Sequence, residues 1–379
     1  MATCAKRIIE NEKPVVPLRE FFKTVLQNGS IKGILIPAWL PVGNRIMPML
    51  ITDETGLDHA DPIAPAFPLN GARQVSRLTR KPMGQKIAVV LRPCEIRAFV
   101  ELVKLNQGHM EEVLIIGIDC LGAFTNKNYR KFLATCDSPS NATHLFFNAM
   151  ISGDNTTVND IPIASACRAC TDPIPHGADI RIMIVKDKEG AGFIIRGQTA
   201  GGNEFLELSK TGETTIGNPV VTVHMDQRES FRKEMIARTT KATDSVEKLA
   251  AYFADCVNCY NCRVACPVCY CKECVFVTDS FIHDPFQYLQ WANRKGRLKM
   301  PTDTLFFHLT RLAHMGAACV GCGQCSNACP NDIPVMELFA GVAENIQAAF
   351  DYVPGKSVND KPPLSAFREN EFEEIVGIN

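Results

Sequence analysis

The sequence has no surplus of either charge: 40 Lys and Arg stand against 41 Asp and Glu over 379 residues, a formal net charge of −1. Neither nucleic acid nor an anionic membrane surface is therefore expected as a partner. Long apolar runs are also missing, since residues 87–91 and 113–118 have the length of buried strands, and no membrane insertion is expected. Residues 1–14 mix Lys6, Arg7, Glu10, Glu12 and Lys13 without an apolar core, so no secretory signal is read and the cytoplasm is the expected compartment. There is no serine-nucleophile motif and no phosphate-binding P-loop. Gly190-x-Gly192 lacks the third glycine and the helix of a Rossmann fingerprint. The eight histidines show no ligand spacing, and His308 and His314 read as packing or surface residues.

Cysteine is what the chain has in excess, 17 residues without a secretory signal, which in a reducing compartment reads as metal ligation rather than disulfides. The run Cys256-x-x-Cys259-x-x-Cys262-x-x-x-Cys266-Pro267 recurs as Cys319-x-x-Cys322-x-x-Cys325-x-x-x-Cys329-Pro330. This is the spacing by which bacterial-type ferredoxins hold two [4Fe–4S] cubanes, each run giving three thiolates to one cube and its fourth to the other. Cys256, Cys259, Cys262 and Cys329 are thus assigned to one cluster, and Cys319, Cys322, Cys325 and Cys266 to the second. Zinc knuckles would use four ligands, leaving the third cysteine and the Cys-Pro of each copy without a reason. Cys269, Cys271 and Cys274 remain open between buried thiols and three ligands of an additional cluster. Cys4 and Cys136 read as ordinary thiols.

Four more cysteines, Cys94, Cys120, Cys167 and Cys170, fall where short loops follow strand signals, the places where α/β folds put ligands. Singly each reads as a small core residue; together they supply the thiolates of a third cubane. Around them, helical spacing is read over residues 21–27 and 94–105, and strands over 33–37, 86–91 and 113–118. Glycines broken across 182–223 suggest short mixed or antiparallel strands. Residues 226–248 read as a charged, solvated connector with a cap at Thr243-Asp244-Ser245, and 286–291 and 305–314 as helices between the ferredoxin motifs.

The segments Gly84 to Ile96, Ile116-Gly117-Ile118-Asp119-Cys120, Cys167-Arg168-Ala169-Cys170-Thr171-Asp172 with Ala178-Asp179-Ile180, and a following strand from Ile195 to Leu208 resemble the coenzyme F420 hydrogenase/dehydrogenase β-subunit family. The attached ferredoxin region is similar to that of its formate dehydrogenase branch. The resemblance, which covers about residues 18–223, implies an α/β (α+β) flavin-binding domain with one cubane over residues 1–225; after the charged connector over 226–248, a mainly α-helical two-cluster ferredoxin-type domain is expected over 249–379. It implies FAD together with three cubanes, or four if Cys269, Cys271 and Cys274 join. For the flavin, Asn70, Gly71, Arg73 and Ser76, a polar glycine turn before a helix, are candidates, with Arg92 and Arg97 for phosphate or ring. Two departures bear on deazaflavin binding: Pro17-Leu18-Arg19 stands where many members have a Gly-Gly-rich loop, and Arg92 replaces a small residue.

The expected role is the oxidoreductase β subunit of a formate dehydrogenase or hydrogenase complex, passing electrons between a catalytic partner, a molybdenum or tungsten formate dehydrogenase α subunit by resemblance, and a hydride carrier, F420 or NAD, or another redox subunit. Two alternatives are a flavin-free relay joining two redox partners, as in heterodisulfide-reductase-type complexes, and a zinc-bearing interaction scaffold.

Overall fold

A computed structural model of the chain describes residues 4–9, 13–41, 45–153, 156–187, 190–208, 219–278, 284–295, 303–363 and 365. Its central strands are apolar on both faces. In β4 (Lys86–Leu91), Ile87, Val89 and Leu91 enter one core while Ala88 and Val90 enter another. In β5 (Val113–Ile118), Val113 and Ile115 separate from Leu114, Ile116 and Ile118 in the same way. A strand with two buried faces needs cover on both, and parallel neighbours joined by helices supply it.

The sheet has seven strands in the order β1-β9-β8-β5-β4-β2-β3. They are β1 (Cys4–Ile8), β2 (Ile31–Trp39), β3 (Ile46–Ile51), β4, β5, β8 (Ile180–Asp187) and β9 (Gly190–Gly197); β6 (Thr157–Val158) and β7 (Ile161–Pro162) form a separate small hairpin. The middle four, β2, β4, β5 and β8, are parallel, with pairs such as Val89 opposite Ile115 and Ile116 opposite Ile180. Antiparallel β3, β9 and β1 complete the edges.

Helices α1 (Val15–Gln27), α4 (Asn126–Leu133) and α5 (Pro139–Ser152) cover one face through Phe21, Phe22, Phe132, Phe146 and Phe147. Helices α2 (Ala72–Leu78) and α3 (Pro93–Lys104) cover the other through Val75, Ile96, Phe99 and Leu102. The second core does not stop there. It continues without a break into Phe253, Leu312, Met315, Leu338 and Phe339 of the C-terminal region.

That region is helical: α8 (Met225–Ala242), α9 (Val246–Tyr252), α10 (Asn261–Ala265), α11 (Pro285–Lys295), α12 (Asp303–Met315), α13 (Gln324–Asn327) and α14 (Val335–Ala349). Short α6 (Ser165–Arg168) and α7 (Ala200–Leu208) belong to the first half. Among the described residues no helix is long and apolar enough to cross a membrane.

Two readings change. The short strands expected over 182–223 are one long antiparallel pair, β8 and β9, whose alternating Ile182, Ile184, Phe193 and Ile195 fill the first core. Gly190 and Gly197 end β9, Gly192 lies within it, and Gly201 and Gly202 lie in α7, so the segment read as a strand to Leu208 leaves the sheet at Gly197; residues 209–218 of that reading, with Gly212 and Gly217, lie outside the described set. Residues 226–248 are mostly one 18-residue helix, α8, and it is not solvated all round. Met235 is buried against Met336 and Ala340 of α14, and Arg238 and Arg232 pair with Glu337 and Glu344 at 2.9 and 2.8 Å. The Ser245 side chain caps α9, accepting from Lys248 N at 3.2 Å.

Candidate iron–sulfur centres and an arginine-lined cavity

The two C-terminal cysteine runs share a backbone device. Asn258 and Tyr260 take left-handed φ of 51° and 57°, and Gly321 and Gly323, at the same offsets from the first cysteine, take 66° and 76°. Left-handed residues at every second position coil the loop and turn successive thiols inward. Gly323 has a further reason to be glycine, because a Cβ there would lie 2.5 Å from the Ala166 Cβ beside Cys167. Tyr260 instead uses its ring, edge-on to Phe307 at 4.7 Å.

The charges of Cys259 and Cys329 bear on Cys256, and those of Cys256, Cys259 and Cys329 on Cys262. Cys266 bears on Cys319, Cys322 and Cys325. The fourth cysteine of each run thus lies near thiols of the other run, Cys329 near Cys256 and Cys262 and Cys266 near Cys319, Cys322 and Cys325. Burial first, then neighbouring thiols, pushes Cys262 up to about 11 and raises Cys319, Cys322 and Cys325. Such thiols become thiolates only around a cationic centre, and the donor chemistry fits a cubane. Among the described residues no three His, Cys, Asp or Glu side chains converge as ligands of a single metal ion. A cubane makes no such demand, since each thiolate meets its own iron.

The third set comes from the carboxyl ends of the parallel strands. Cys94 opens α3 after β4, Cys120 follows β5, Cys167 lies on α6 and Cys170 just beyond it, and all four line one cavity. Burial is the main cause raising each of Cys94, Cys167 and Cys170, with Cys167 pushed to about 12. The loop positions are pinned from outside the sheet: Arg228 of α8, 6% exposed, reaches the Cys120 and Leu121 carbonyls at 3.5 Å, and Arg97 pairs with Asp172 at 3.2 Å. Cys322 lines the same cavity, and after burial it is the largest influence on Cys94. The third set thus adjoins the second.

Between the second and first sets sits Arg311 of α12, 4% exposed. It donates to the Cys262 carbonyl at 3.2 Å and lies over the Phe339 and Phe307 rings at 4.8 and 5.5 Å. Its Nε and Nη1 have no partner. Burial works to lower its pKa, but Cys262, Cys266, Cys325 and Cys269 outweigh that and raise it. A buried cation surrounded by thiols is the complement of an anionic centre. His308 on the same helix stacks on Phe253 at 3.8 Å and lies 3.5 Å from the Cys256 Sγ; burial and then Arg311 push its pKa down to about 3. Sequence reading missed Arg311, although a charged residue four places after Phe307 in an apolar helical stripe was its signal.

The flavin candidates separate into three environments. Asn70 and Gly71 are buried against α3: Asn70 Oδ1 accepts from Ala72 N at 3.0 Å, and Gly71 N donates to Glu95 Oε1 at 2.6 Å. Arg92 donates to the Ala64 and Ala66 carbonyls at 2.7 and 2.8 Å, and with Arg97 it lines the third cysteine cavity. Arg73 and Ser76 line a different cavity, together with Arg77, Arg80, Arg263 and Lys272. Cys269 and Cys271 open onto it, whereas Cys274 packs with Phe276 and Phe307. Cys136 bonds to the Phe132 carbonyl at 3.2 Å, away from every set. The Cys4 side chain lies outside the described residues.

A helix-covered mixed sheet carrying thiols at its strand ends, fused to a helical region with two interleaved cysteine runs, defines an electron-transfer subunit of a redox complex. Residues 84–222, which contain all four cysteines of the third set, match the family model for the C-terminal part of the coenzyme F420 hydrogenase/dehydrogenase beta subunit. The chain is 27% identical over 369 residues to the F420-dependent formate dehydrogenase subunit beta of Methanocaldococcus jannaschii, covering 90% of this chain and 92% of that one. It is 26% identical over 379 residues to the F420-dependent formate dehydrogenase 1 subunit beta of Methanococcus maripaludis, covering 90% of each. A chain of the F420-reducing [NiFe] hydrogenase complex from Methanosarcina barkeri superimposes with a TM-score of 0.44 at 14% identity, covering 65% of this chain and 94% of that one. Residues 84–222 thus resemble the coenzyme F420 hydrogenase/dehydrogenase β-subunit family, and over most of its length the chain is similar to formate dehydrogenase β subunits; it is an oxidoreductase subunit.

Proposed function

We propose that this β subunit moves electrons between a formate-oxidising catalytic partner and a hydride carrier through one FAD and three [4Fe–4S] cubanes. The contiguity of the three cysteine sets carries this reading: Cys94 and Cys322 join the third to the second, and Arg311 stands between the second and the first. When bound, a flavin exchanges a hydride's two electrons and cubanes pass electrons singly, which makes the pair a two-to-one converter. The chain's part is positional. Arg228 and the Arg97–Asp172 pair hold the loops of Cys120 and Cys170, and Glu95 ties the Gly71 and Arg92 amides together at 2.6 and 2.8 Å.

F420 as carrier and formate as the source follow from the names of the two relatives, and a molybdenum or tungsten enzyme is the catalytic partner that fits them. Extraction and mass identification of cofactors from anaerobically purified protein tests the reading. FAD with about twelve irons per chain is expected from four irons per cubane. A protein without flavin, or with iron near eight, would remove the flavin or the third cubane.

A further inference from the structure

Between α2 and the loop after α10 lies a cavity whose charge is of one sign. Arg73 and Arg77 line it from α2, Arg80 from just beyond, Arg263 from α10 and Lys272 from the following loop, and no aspartate or glutamate shares the wall. Among the described residues none of these five cations is ion-paired. Arg73 donates only to the Val264 carbonyl in its direct bond across the cavity, and the buried Nε of Arg263 has no partner. Burial, and then Arg77, lower the Arg73 pKa. Cations crowded without an acid repel one another, and an anion that bridges them relieves the repulsion.

The arrangement draws on both halves of the molecule. Three of its arginines come from α2 and the residues just after it, and two cations flank the first cysteine run's Cys-Pro. A pocket of this kind exists only when the two halves are packed, and it lies next to Cys269 and Cys271.

We propose that this cavity binds the phosphate groups of an anionic redox ligand, Arg73, Arg77, Arg80, Arg263 and Lys272 supplying charge-assisted hydrogen bonds to the oxyanions. The ligand's remaining part rests on the proposed flavin and hydride-carrier reading, because the shared phosphate chemistry belongs equally to the diphosphate of a resident dinucleotide and to the phosphate of a carrier that comes and goes.

The test compares the full wild-type chain with Arg77→Glu/Arg80→Glu, at exposed positions, and separately with Lys272→Glu, measuring flavin content, iron content and the affinity of inorganic pyrophosphate. Iron at the wild-type level shows that each variant is folded. A loss of flavin of about tenfold or more assigns the cavity to the resident dinucleotide. Retained flavin with pyrophosphate binding weakened about tenfold or more assigns it to the exchanging carrier. Flavin content and pyrophosphate affinity both unchanged in the two variants overturn the proposal. A wild-type chain without flavin that still binds pyrophosphate through these residues sinks the flavin reading and leaves the cavity standing.

Discussion

A guanidinium held between two sets of thiols favours whichever side gains an electron, because added negative charge is stabilised by a near cation in a medium that screens it poorly. Arg311→Met keeps the stem over Phe307 and Phe339 and removes the charge. If the two cysteine runs hold cubanes as proposed, both centres should then become harder to reduce, by about tenfold in the reduction equilibrium, equal to about 59 mV for one electron. Arg311→Lys should recover part of it. Redox titration followed by electron paramagnetic resonance reads the shift, and unchanged midpoints in Arg311→Met would show that the guanidinium serves packing alone.

Single cysteines separate the sets. If the proposed three cubanes and flavin are present, Cys170→Ser should remove one cluster's iron, leave the two ferredoxin-type signals, and slow electron passage from reduced flavin. Cys329→Ser should damage the set of Cys256, Cys259 and Cys262 while the flavin still takes hydride. Cys170→Ser with wild-type iron, flavin and electron transfer would return Cys167-x-x-Cys170 to a structural turn.

Asp61 gives a pH signature of the fold. Burial raises its pKa, against bonds from Thr143 Oγ1 at 2.6 Å and Trp39 Nε1 at 3.0 Å and the nearby Arg19 and Arg92. A carboxyl raised in the folded state contributes stability below its unfolded pKa and loses it as pH climbs through the folded one. Asp61→Asn keeps an acceptor for both donors without the buried charge, so its unfolding midpoint at pH 7 should equal or exceed wild type. A midpoint well below wild type there would mean that Asp61 is needed as the charge partner of Arg19 and Arg92.

At the scale of elements, the segment after α14 is clasped to α3. Glu101 takes bonds from Lys104 Nζ at 2.9 Å, from the Tyr352 hydroxyl at 2.7 Å and from Gly355 N at 2.8 Å, and both charged side chains are 1% exposed. Gly355 fits because its φ is +77° and a Cβ would meet the Arg97 backbone at 2.4 Å. Removing one partner of a buried pair strands the other: Glu101→Ala should cost about 3–5 kcal/mol, and Tyr352→Phe, which loses a hydroxyl, about 1–2 kcal/mol. Denaturant midpoints would show that order, and equal losses would refute the clasp. Helix α8 is held by the same kind of specific contact. Its charges read as solvated because its apolar positions are few; Met235, with Arg228, Arg232 and Arg238 turned to specific partners, decides its packing.

For the whole molecule, the unbroken core from β4 and α3 into α12 and α14 means that the two halves do not move as independent beads. Deleting residues after 248 should therefore strip Phe253, Leu312, Met315, Leu338 and Phe339 from that core and leave an aggregating remnant, judged by recovery of the 1–248 fragment in size-exclusion chromatography. A monodisperse, folded fragment would contradict that.

What the sequence determined by itself was local and periodic. Runs apolar over 87–91 and 113–118 read as buried strands, and the two cysteine runs were legible because each is a fixed local spacing that lets one short loop offer three thiols to a cluster. The motifs around Cys94, Cys120 and Cys167-x-x-Cys170 were legible one by one, through their resemblance to a known family, because each is a short local pattern. Tertiary structure decided what depends on distant segments meeting: that those four thiols share one cavity beside Cys322, that Arg311 has thiols and no acid around it, and that Arg263 and Lys272 join three arginines of α2 and its end. Spacing encodes contacts within a turn or a loop, whereas the charge balance of a cavity is fixed only when burial brings in walls from distant parts of the chain and removes the water that would otherwise screen them.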